Sequence, residues 1–245
     1  MSEQEDRADP EGIRAGLGRN LTYGLLDSLG RAIVGGRFEA RGFPTEGELA
    51  RQHGVSRSVT REAVKMLTAK GLLSARPRQG TVVQATTSWN LFDADVLRWL
   101  LERKFSLELL RHFNELRIAI EPEAAALAAR LADAGDLADI RDGLERMVAA
   151  DRGEDEILEA DIDFHVAILR ASRNPFYVQF RDVVTTALRT SIRFTNRLTG
   201  HSASIAAHRA VLDAIVARDA DAAHGAMRKI IGDVLALMDR AEAAA

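Results

Sequence analysis

The sequence predicts a mainly α-helical protein that combines an N-terminal winged helix-turn-helix, with a small β-hairpin as its wing, and a C-terminal all-α antiparallel helical bundle. Two observations carry this prediction. Between residues 43 and 83, two short capped helices are followed by two β-type segments that flank a turn with Pro and Gly. Beyond residue 92, apolar residues recur three and four positions apart, with short connections and no strand pattern.

The composition narrows the class of protein. The chain of 245 residues is 47% hydrophobic and 28% charged, which is ordinary for a globular protein. It has neither an apolar run of roughly eighteen residues nor the apolar centre of a signal peptide near its start, so we expect a cytoplasmic protein without membrane contact. Because cysteine is absent, the side chains left to bind a metal are those of Asp, Glu and His.

The chain divides into four predicted segments. Residues 1–19 are polar and contain Pro and several Gly, which predicts a mobile N-terminal segment. The winged unit is predicted at residues 20–84, a short polar linker at 85–91 and the helical bundle at 92–243. The predicted helices of the bundle are 92–102, 106–132 with a kink at Pro122, 136–150, 155–171, 175–197, 202–218 and 220–242.

Local signals define the two central helices of the winged unit. Thr45 and Glu48 form a T-x-x-E capping box at the start of the first, and Gly54 follows as its C-terminal cap. Ser56 is a good N-cap for the second helix, which Gly71 closes. The strands predicted at residues 72–76 and 81–83 complete the wing.

A basic stripe on the second of these helices indicates DNA. Arg57, Arg61 and Lys65 lie one turn apart, and residues 45–80 contain 7 basic and 3 acidic side chains. Because an α-helix fits the major groove and Arg binds guanine through two hydrogen bonds, we predict base contacts there. The alternatives are an ordinary solvated helix face and a nonspecific nucleoid-type protein. The second conflicts with the acidic remainder of the chain.

The hairpin tip extends the predicted DNA surface. Its arginine and its glycine suit a wing that approaches the minor groove and the sugar-phosphate chain closely. The predicted DNA contacts are Thr45, Ser56, Arg57, Ser58, Thr60, Arg61, Arg78, Gln79 and Gly80.

A second constellation lies in the predicted bundle. Asp161 and His165 are four residues apart and fall within the apolar stripe of their helix, as His208 does in another helix. Such a set suits a divalent metal (Zn, Ni or Mn) with positions left open to water or a ligand. The alternatives are hydrogen-bonded core histidines and a metal-dependent enzyme. The sequence shows no general base or nucleophile beside the set, so we predict no enzyme.

The segment from residue 44 to 83 resembles the DNA-binding domain of the GntR family of bacterial transcription regulators. The shared features are PTEGEL, GVSRSVTREA and the glycine and valine pattern of the wing. The resemblance implies that Ser56, Arg57 and Arg61 occupy the recognition-helix contact positions and that Gln79 and Gly80 occupy those of the wing. One departure is Gly47, where the family usually has an arginine that contacts DNA.

The helical part resembles the all-helical effector domain of the FadR subfamily, through EADIDFHVAILRASRNP and AAHRAVLDAI. Its metal-binding members use an Asp and three His. Asp161, His165 and His208 match the first three, whereas Ile230 stands at the fourth position. ELRIAIEPEAA resembles the signature whose arginine, here Arg117, faces the cavity; the alternative is a salt bridge with Glu121. The effector-binding set implied is Arg117, Asp161, His165, Arg189, Arg193 and His208.

The stretch TTSWNLFDADVLRWLLE resembles a branch of this subfamily that responds to sugar acids. It implies a homodimeric repressor of sugar-acid catabolism genes that is released from a palindromic double-stranded DNA operator by an aldonate such as galactonate. The alternative effectors are a uronate, a lactate-like acid or a fatty-acid-derived carboxylate.

Overall fold

The computed structural model describes residues 10–38, 42–76, 80–103, 106–198 and 204–243, and the side chains of these from residue 20 onward except those of 76 and 192–198. It divides into two compact units, Met1–Lys104 and Phe105–Ala245. The mainly helical fold class is confirmed, with a winged helix-turn-helix in the first unit and a helical bundle in the second. Among the described residues, no helix combines the length and the apolar character needed to cross a bilayer.

In its described residues, the first unit contains four α-helices, one two-stranded antiparallel sheet and a short 3-10 helix. These are α1 Pro10–Val34, α2 Glu46–His53, α3 Arg57–Ala69, β1 Leu73–Arg76, β2 Gly80–Val83, the 3-10 helix Thr86–Ser88 and α4 Ala94–Glu102. In the hairpin, Leu73 pairs with Val83 and Arg76 with Gly80. The start of α1 at Pro10 differs from the prediction of a mobile segment at 1–19, of which residues 1–9 lie outside the described part.

The caps of α2 and α3 follow the sequence signals. The Thr45 side chain accepts a hydrogen bond from the Glu48 main-chain N–H, and the Glu48 carboxylate accepts one from the Thr45 N–H at 2.8 Å. The Ser56 hydroxyl oxygen accepts a hydrogen bond from the Val59 N–H. Such caps satisfy N–H groups that have no partner inside the helix, and each contributes about 1 kcal/mol to stability.

Residues 85–102 belong to the first unit. The sequence pattern instead predicted a linker at 85–91 and assigned the helix that follows it to the bundle. The Trp89 indole donates a hydrogen bond to the Gln84 carbonyl, and α4 packs against α1. Trp99 of α4 is 1% exposed, and its indole donates a hydrogen bond to the Asp27 carboxylate of α1 at 2.8 Å. The sequence places a large apolar face on α4 but does not say which helix covers it.

An ion-pair cluster also joins α4 to the end of α3. The Lys70 ammonium lies 2.8 Å from carboxylate oxygens of both Asp93 and Asp95, with a side chain only 13% exposed. Burial lowers the pKa of Lys70, but the hydrogen bonds to Asp93 and Asp95 outweigh burial, so its net pKa is raised. Because Lys70 caps α3 and Asp93 caps α4, the cluster ties the two helix ends together.

Two glycines of α1 provide a matched test of the α1 and α4 packing. A Cβ atom on Gly30 would lie 2.4 Å from the Trp99 ring, whereas one on Gly24 would meet no atom within 4 Å. We expect Gly30→Ala to lower the free energy of unfolding by about 1–3 kcal/mol through overpacking. Gly24→Ala should raise it by up to about 1 kcal/mol through helix propensity. Urea denaturation of both variants checks this; equal effects would contradict the close approach of Trp99.

The second unit is all-helical in its described residues. Its helices are α5 Leu107–Leu131, α6 Ala134–Asp151, α7 Ile157–Ala171, α8 Pro175–Val178, α9 Arg181–Leu198, α10 Ile205–Val216 and α11 Ala220–Ala243. The helix predicted at 175–197 is interrupted, because α8 ends at Val178 and α9 begins at Arg181. Pro122 lies inside α5, which continues past it.

Helix α7 lies at the centre of the core of the second unit. Helix α7 packs against α5, α6 and α9, and its apolar residues join one buried cluster with those of α5, α10 and α11. Helix α6 approaches closely at Gly143, where a Cβ atom would lie 2.9 Å from the backbone of Phe164. The polar residues of α7 that point inward therefore lie in the interior of the bundle, where they need partners.

Candidate functional site

The outer face of α3 carries the predicted DNA contacts. Ser56, Arg57, Ser58, Arg61 and Lys65 are exposed, whereas Ala63 and Leu67 on the opposite face are fully buried. The contacts of this face that the structure records are weak: Arg61 lies 3.5 Å from Glu46, with both side chains more than a third exposed. Ion pairs of this kind contribute little, so a phosphate or a base can replace them.

Thr60 is a correction to the predicted contact set. Its side chain is 0% exposed, and its hydroxyl donates a hydrogen bond to the Ser56 carbonyl at 3.2 Å. It therefore packs in the unit and offers no group to DNA. Thr45 is exposed and its hydroxyl serves the capping box. Gly80 begins β2 with φ of 78°, whereas Arg78 and Gln79 lie outside the described residues.

Asp161, His165 and His208 meet in the interior of the second unit. Nε2 of His208 lies 3.0 Å from Asp161 Oδ1 and 3.4 Å from Nε2 of His165, and Nε2 of His165 lies 3.6 Å from the same oxygen. All three residues are at most 3% exposed. Helices α7 and α10 thus bring together the three residues that the sequence singled out.

The hydrogen bonds of the two histidines define their tautomers. His208 Nδ1 lies 2.8 Å from the Ser204 carbonyl, which can only accept, so this nitrogen carries the proton. His165 Nδ1 lies 2.5 Å from the Glu121 carboxylate. With both Nδ1 atoms protonated, a neutral imidazole presents the lone pair of Nε2 to the centre of the set. Both rings form edge-to-face arrangements with Phe164, with ring centroids 5.8 Å apart for His165 and 5.1 Å apart for His208.

The centre of the set is rich in acceptors. Asp161 Oδ1 is buried and accepts no hydrogen bond from the described residues, although Nε2 of His208 is close. Burial would raise the pKa of Asp161, but the contact with His208 and the positive charge that the two imidazoles carry when protonated outweigh burial and lower the pKa. Two imidazole lone pairs and a carboxylate oxygen that face one another require a cation, either a proton or a metal ion.

The donor set fits a divalent metal. Ligand atoms at about 2.1 Å from one ion lie about 3.0 Å apart at a right angle and about 3.4 Å apart at a tetrahedral angle. The observed separations of 3.0, 3.4 and 3.6 Å are close to this range. Among the described residues, these three form the one group of His, Asp and Glu with ligand atoms so arranged. The two imidazoles suit Zn and Ni, and the carboxylate suits Mn.

Arg117 and Glu121 lie beside this set, on α5. Arg117 is 2% exposed; its Nε lies 2.5 Å from Glu121 Oε1, and its Nη1 donates a hydrogen bond to the Asn114 side chain. The intrahelical salt bridge, which the sequence left open as an alternative, is therefore the contact that the structure shows. Burial would raise the pKa of Glu121, but Arg117 and His165 outweigh burial and lower the pKa to about 2.

The remaining predicted effector residues lie elsewhere or outside the described side chains. Arg189 of α9 is partly exposed and forms an ion pair with Glu159 at 2.7 Å, which differs from its predicted place beside the buried set. The side chain of Arg193 lies outside the described part. Ile230 of α11 packs against the apolar core and offers no ligand atom, as the sequence predicts.

Sequence reasoning missed two buried polar residues near the set. Glu121 entered the prediction only as a partner of Arg117, and Asn114 was not considered. The Asn114 amide donates hydrogen bonds to the Leu110 carbonyl and to the Ser191 hydroxyl of α9. Asn114, Arg117 and Glu121 are spaced three and four apart on α5, so the same periodicity that singled out Asp161 and His165 could have found them.

A winged helix-turn-helix with a basic recognition helix, joined in one chain to a helical unit with a buried polar cluster, defines a ligand-responsive DNA-binding regulator. The comparisons with known proteins agree. The family described as bacterial regulatory proteins, gntR family, matches residues 23–83, and the FCD domain matches residues 112–233. The chain belongs to the gntR family, in the FadR-like subfamily with an FCD domain.

Individual relatives cover most of the chain. The HTH-type transcriptional regulator YieP of Escherichia coli (strain K12) is 34% identical over 87% of this chain and 93% of its own length. The galactonate operon transcriptional repressor of the same strain is 33% identical over 86% of this chain and 94% of its own length. The solved structure of E. coli McbR/YncC shares the fold, with 20% identity and a TM-score of 0.50 over 91% of this chain and 98% of that chain. YieP and the galactonate repressor are transcription regulators, as the gntR family is, and the enzyme alternative is therefore excluded.

Members of the family bind DNA operators and small-molecule effectors, and some FCD domains bind a metal. In this chain, Asp161, His165 and His208 form a group whose side chains could bind such a metal.

Proposed function

We propose that this chain is a cytoplasmic homodimeric repressor that leaves a pseudo-palindromic operator when a monocarboxylate sugar acid binds in the buried cluster of α5, α7 and α10, together with a divalent metal. The observation that carries the proposal is the convergence of Asp161, His165 and His208 on one point with no described hydrogen-bond donor for Asp161 Oδ1. The similarity to the galactonate operon transcriptional repressor, which covers most of the chain, supports a sugar acid.

The buried charges favour one negative charge on the effector. With neutral imidazoles, the cluster contains one cation, Arg117, and two carboxylates, Glu121 and Asp161, so its net charge is one negative unit. A divalent metal changes this to one positive unit, and a single carboxylate then balances it. Because unpaired charge in a protein interior is costly, a monocarboxylate should bind better than a dicarboxylate of the same carbon chain.

The residues have distinct roles in this proposal. Asp161, His165 and His208 would hold the metal, which when bound supplies a Lewis acid for oxygen atoms of the effector. Arg117 is the one buried arginine among the described side chains and is joined to the set through Glu121, and it can bind a carboxylate through two hydrogen bonds. Asn114 and Ser191 place an amide and a hydroxyl beside Arg117, which suits the hydroxyl groups of a sugar acid.

Operator release follows from differential affinity. Two recognition helices of a dimer, each with Arg57 and Arg61, would read the two half-sites of the operator. An effector lowers the DNA affinity if it binds the arrangement off the DNA better than the arrangement on it.

Thermal denaturation against matched acids tests the effector class. We expect D-galactonate or D-gluconate, at about 100 times its dissociation constant, to stabilise the protein by about 2.7 kcal/mol, a rise in Tm of about 5–10 °C. The matched dicarboxylate galactarate should give a smaller shift, and a chelator should abolish the shift of the aldonate. Uronates and L-lactate complete the panel.

Three results would contradict the proposal. One is a larger shift with galactarate than with galactonate, and another is an aldonate shift that persists after metal removal. The third is an aldonate that raises Tm but leaves binding to an operator selected from random DNA unchanged, as measured by fluorescence anisotropy. The first would refute the charge argument, the second the metal and the third the regulatory role.

A further inference from the structure

We propose that Glu121 is a positioning residue that presents His165 to the metal ion. This inference rests on the proposed function, because it concerns the same buried cluster. Glu121 lies on α5 and His165 on α7, 44 residues apart in the chain, and both side chains are 1% exposed. Neither the metal set nor the effector set predicted from the sequence includes Glu121.

The geometry gives Glu121 control over the tautomer of His165. Its Oε2 lies 2.5 Å from His165 Nδ1, and a carboxylate can only accept a hydrogen bond. The proton of the imidazole is therefore held at Nδ1, and the lone pair of Nε2 points to Asp161 and His208. A carboxylate in this position also fixes the orientation of the ring, which strengthens a metal bond.

The two histidines differ in what holds them. His208 Nδ1 donates to the main-chain carbonyl of Ser204, an acceptor that any residue at this position supplies. His165 depends on a side chain instead. A single substitution of Glu121 can consequently remove the hydrogen-bond partner of His165, whereas no side-chain substitution removes that of His208. This difference makes the inference testable.

Arg117 does not by itself account for the position of Glu121. The guanidinium bonds chiefly to the other carboxylate oxygen, with Nε to Oε1 at 2.5 Å and the longer contact of Nη2 to Oε2 at 3.4 Å. An intrahelical salt bridge between α5 residues requires no partner on α7. Glu121 nevertheless points Oε2 at His165, so one carboxylate joins the guanidinium to the metal set.

The test measures Zn²⁺ affinity of the full chain by competition with a chromophoric chelator. We expect Glu121→Gln to weaken Zn²⁺ binding about tenfold, because an amide oxygen still accepts the hydrogen bond but carries no charge. Glu121→Met should weaken it about a hundredfold, since no acceptor remains. Arg117→Met combined with Glu121→Met removes both members of the buried Arg117–Glu121 pair, so neither is left without the other, which keeps the test valid if the single variants do not fold.

A matched control separates a local effect from general destabilisation. Ser172 follows α7, is fully buried, and donates its hydroxyl proton to the Leu169 carbonyl. Ser172→Ala should lower Tm without changing Zn²⁺ affinity by more than about twofold, because the serine supports no metal ligand. In addition, ¹⁵N NMR of histidine-labelled protein without metal should show the His165 proton on Nδ1 in the wild type and no longer held there in Glu121→Met.

The outcomes distinguish this inference from the proposed function. If the wild type binds Zn²⁺ and the folded double variant binds it within about threefold of the wild type, Glu121 has only a structural role and the inference fails, while the proposed function stands. If the wild type binds no Zn²⁺, both the metal role of the cluster and the inference fail. The graded loss from Glu to Gln to Met supports the inference.

Discussion

Replacing both Arg57 and Arg61 by alanine is expected to lower affinity for the selected operator by at least about 30-fold, because a bidentate contact between arginine and guanine contributes about 1–3 kcal/mol to base discrimination. Both side chains are exposed on α3, while the buried face of the helix is formed by other residues, so the variant should keep its fold. Fluorescence anisotropy with the operator and with scrambled DNA at several salt concentrations measures the effect.

The two DNA sequences separate base contacts from phosphate contacts. Loss of base contacts removes the preference for the operator and changes binding to scrambled DNA much less. A matched control is Arg141→Ala, which removes one exposed positive charge from α6 in the other unit. Equal loss of affinity for both DNA sequences in the Arg57 and Arg61 variant would mean that these residues contact phosphates only, and would refute the predicted base contacts.

Asp161→Asn is expected to abolish both the metal-dependent response to the effector and tight metal binding, while operator binding without effector remains. The substitution keeps the shape of the side chain and removes the buried oxygen charge at the centre of the donor set. The loss in Zn²⁺ affinity should exceed the roughly 10- to 100-fold loss expected from a supporting residue, because a ligand itself is changed. His208→Ala should behave similarly, since it removes one of the two facing Nε2 atoms.

The stability of the Asp161 variant provides a second measurement. With chelator present, Asp161→Asn should melt below the wild type, because a carboxylate whose pKa is lowered in the folded protein stabilises the fold through its contacts, here chiefly with His208. Asp163→Asn is the matched control on the same helix, since its carboxylate is 55% exposed and pairs with Arg146. A normal effector response in Asp161→Asn, or a response lost equally in Asp163→Asn, would contradict the role of the buried set.

Local features of the winged unit were predictable because their causes act within a few residues. The Thr45 and Glu48 capping box is such a case. The exposure of Arg57 and Arg61 also follows from helical periodicity, since the apolar residues of α3 occupy the other face. Thr60 was misplaced for a related reason: threonine is compatible with either face, and its burial depends on packing by the rest of the unit.

The sequence predicted which residues could bind a metal, but it did not predict which side chains surround them. Polar residues inside an apolar stripe indicate an inward position, which applies to Asp161, His165 and His208. The distances between them depend on how α7 and α10 pack. Arg189 lies on a helix whose face the pattern did not resolve, and the structure pairs it with Glu159.

Short stretches of the chain therefore determined three things: the order of short helices, caps and wing, the exposed face of the recognition helix, and the identity of three inward donors. Within such stretches, neighbours in sequence are neighbours in space. Tertiary packing decided that α4 closes on α1 through Trp99 and Asp27, and that the Glu121 carboxylate holds His165 across 44 residues. Such contacts depend on which helix faces cover one another, and many arrangements of the same amphipathic helices satisfy the same periodicity.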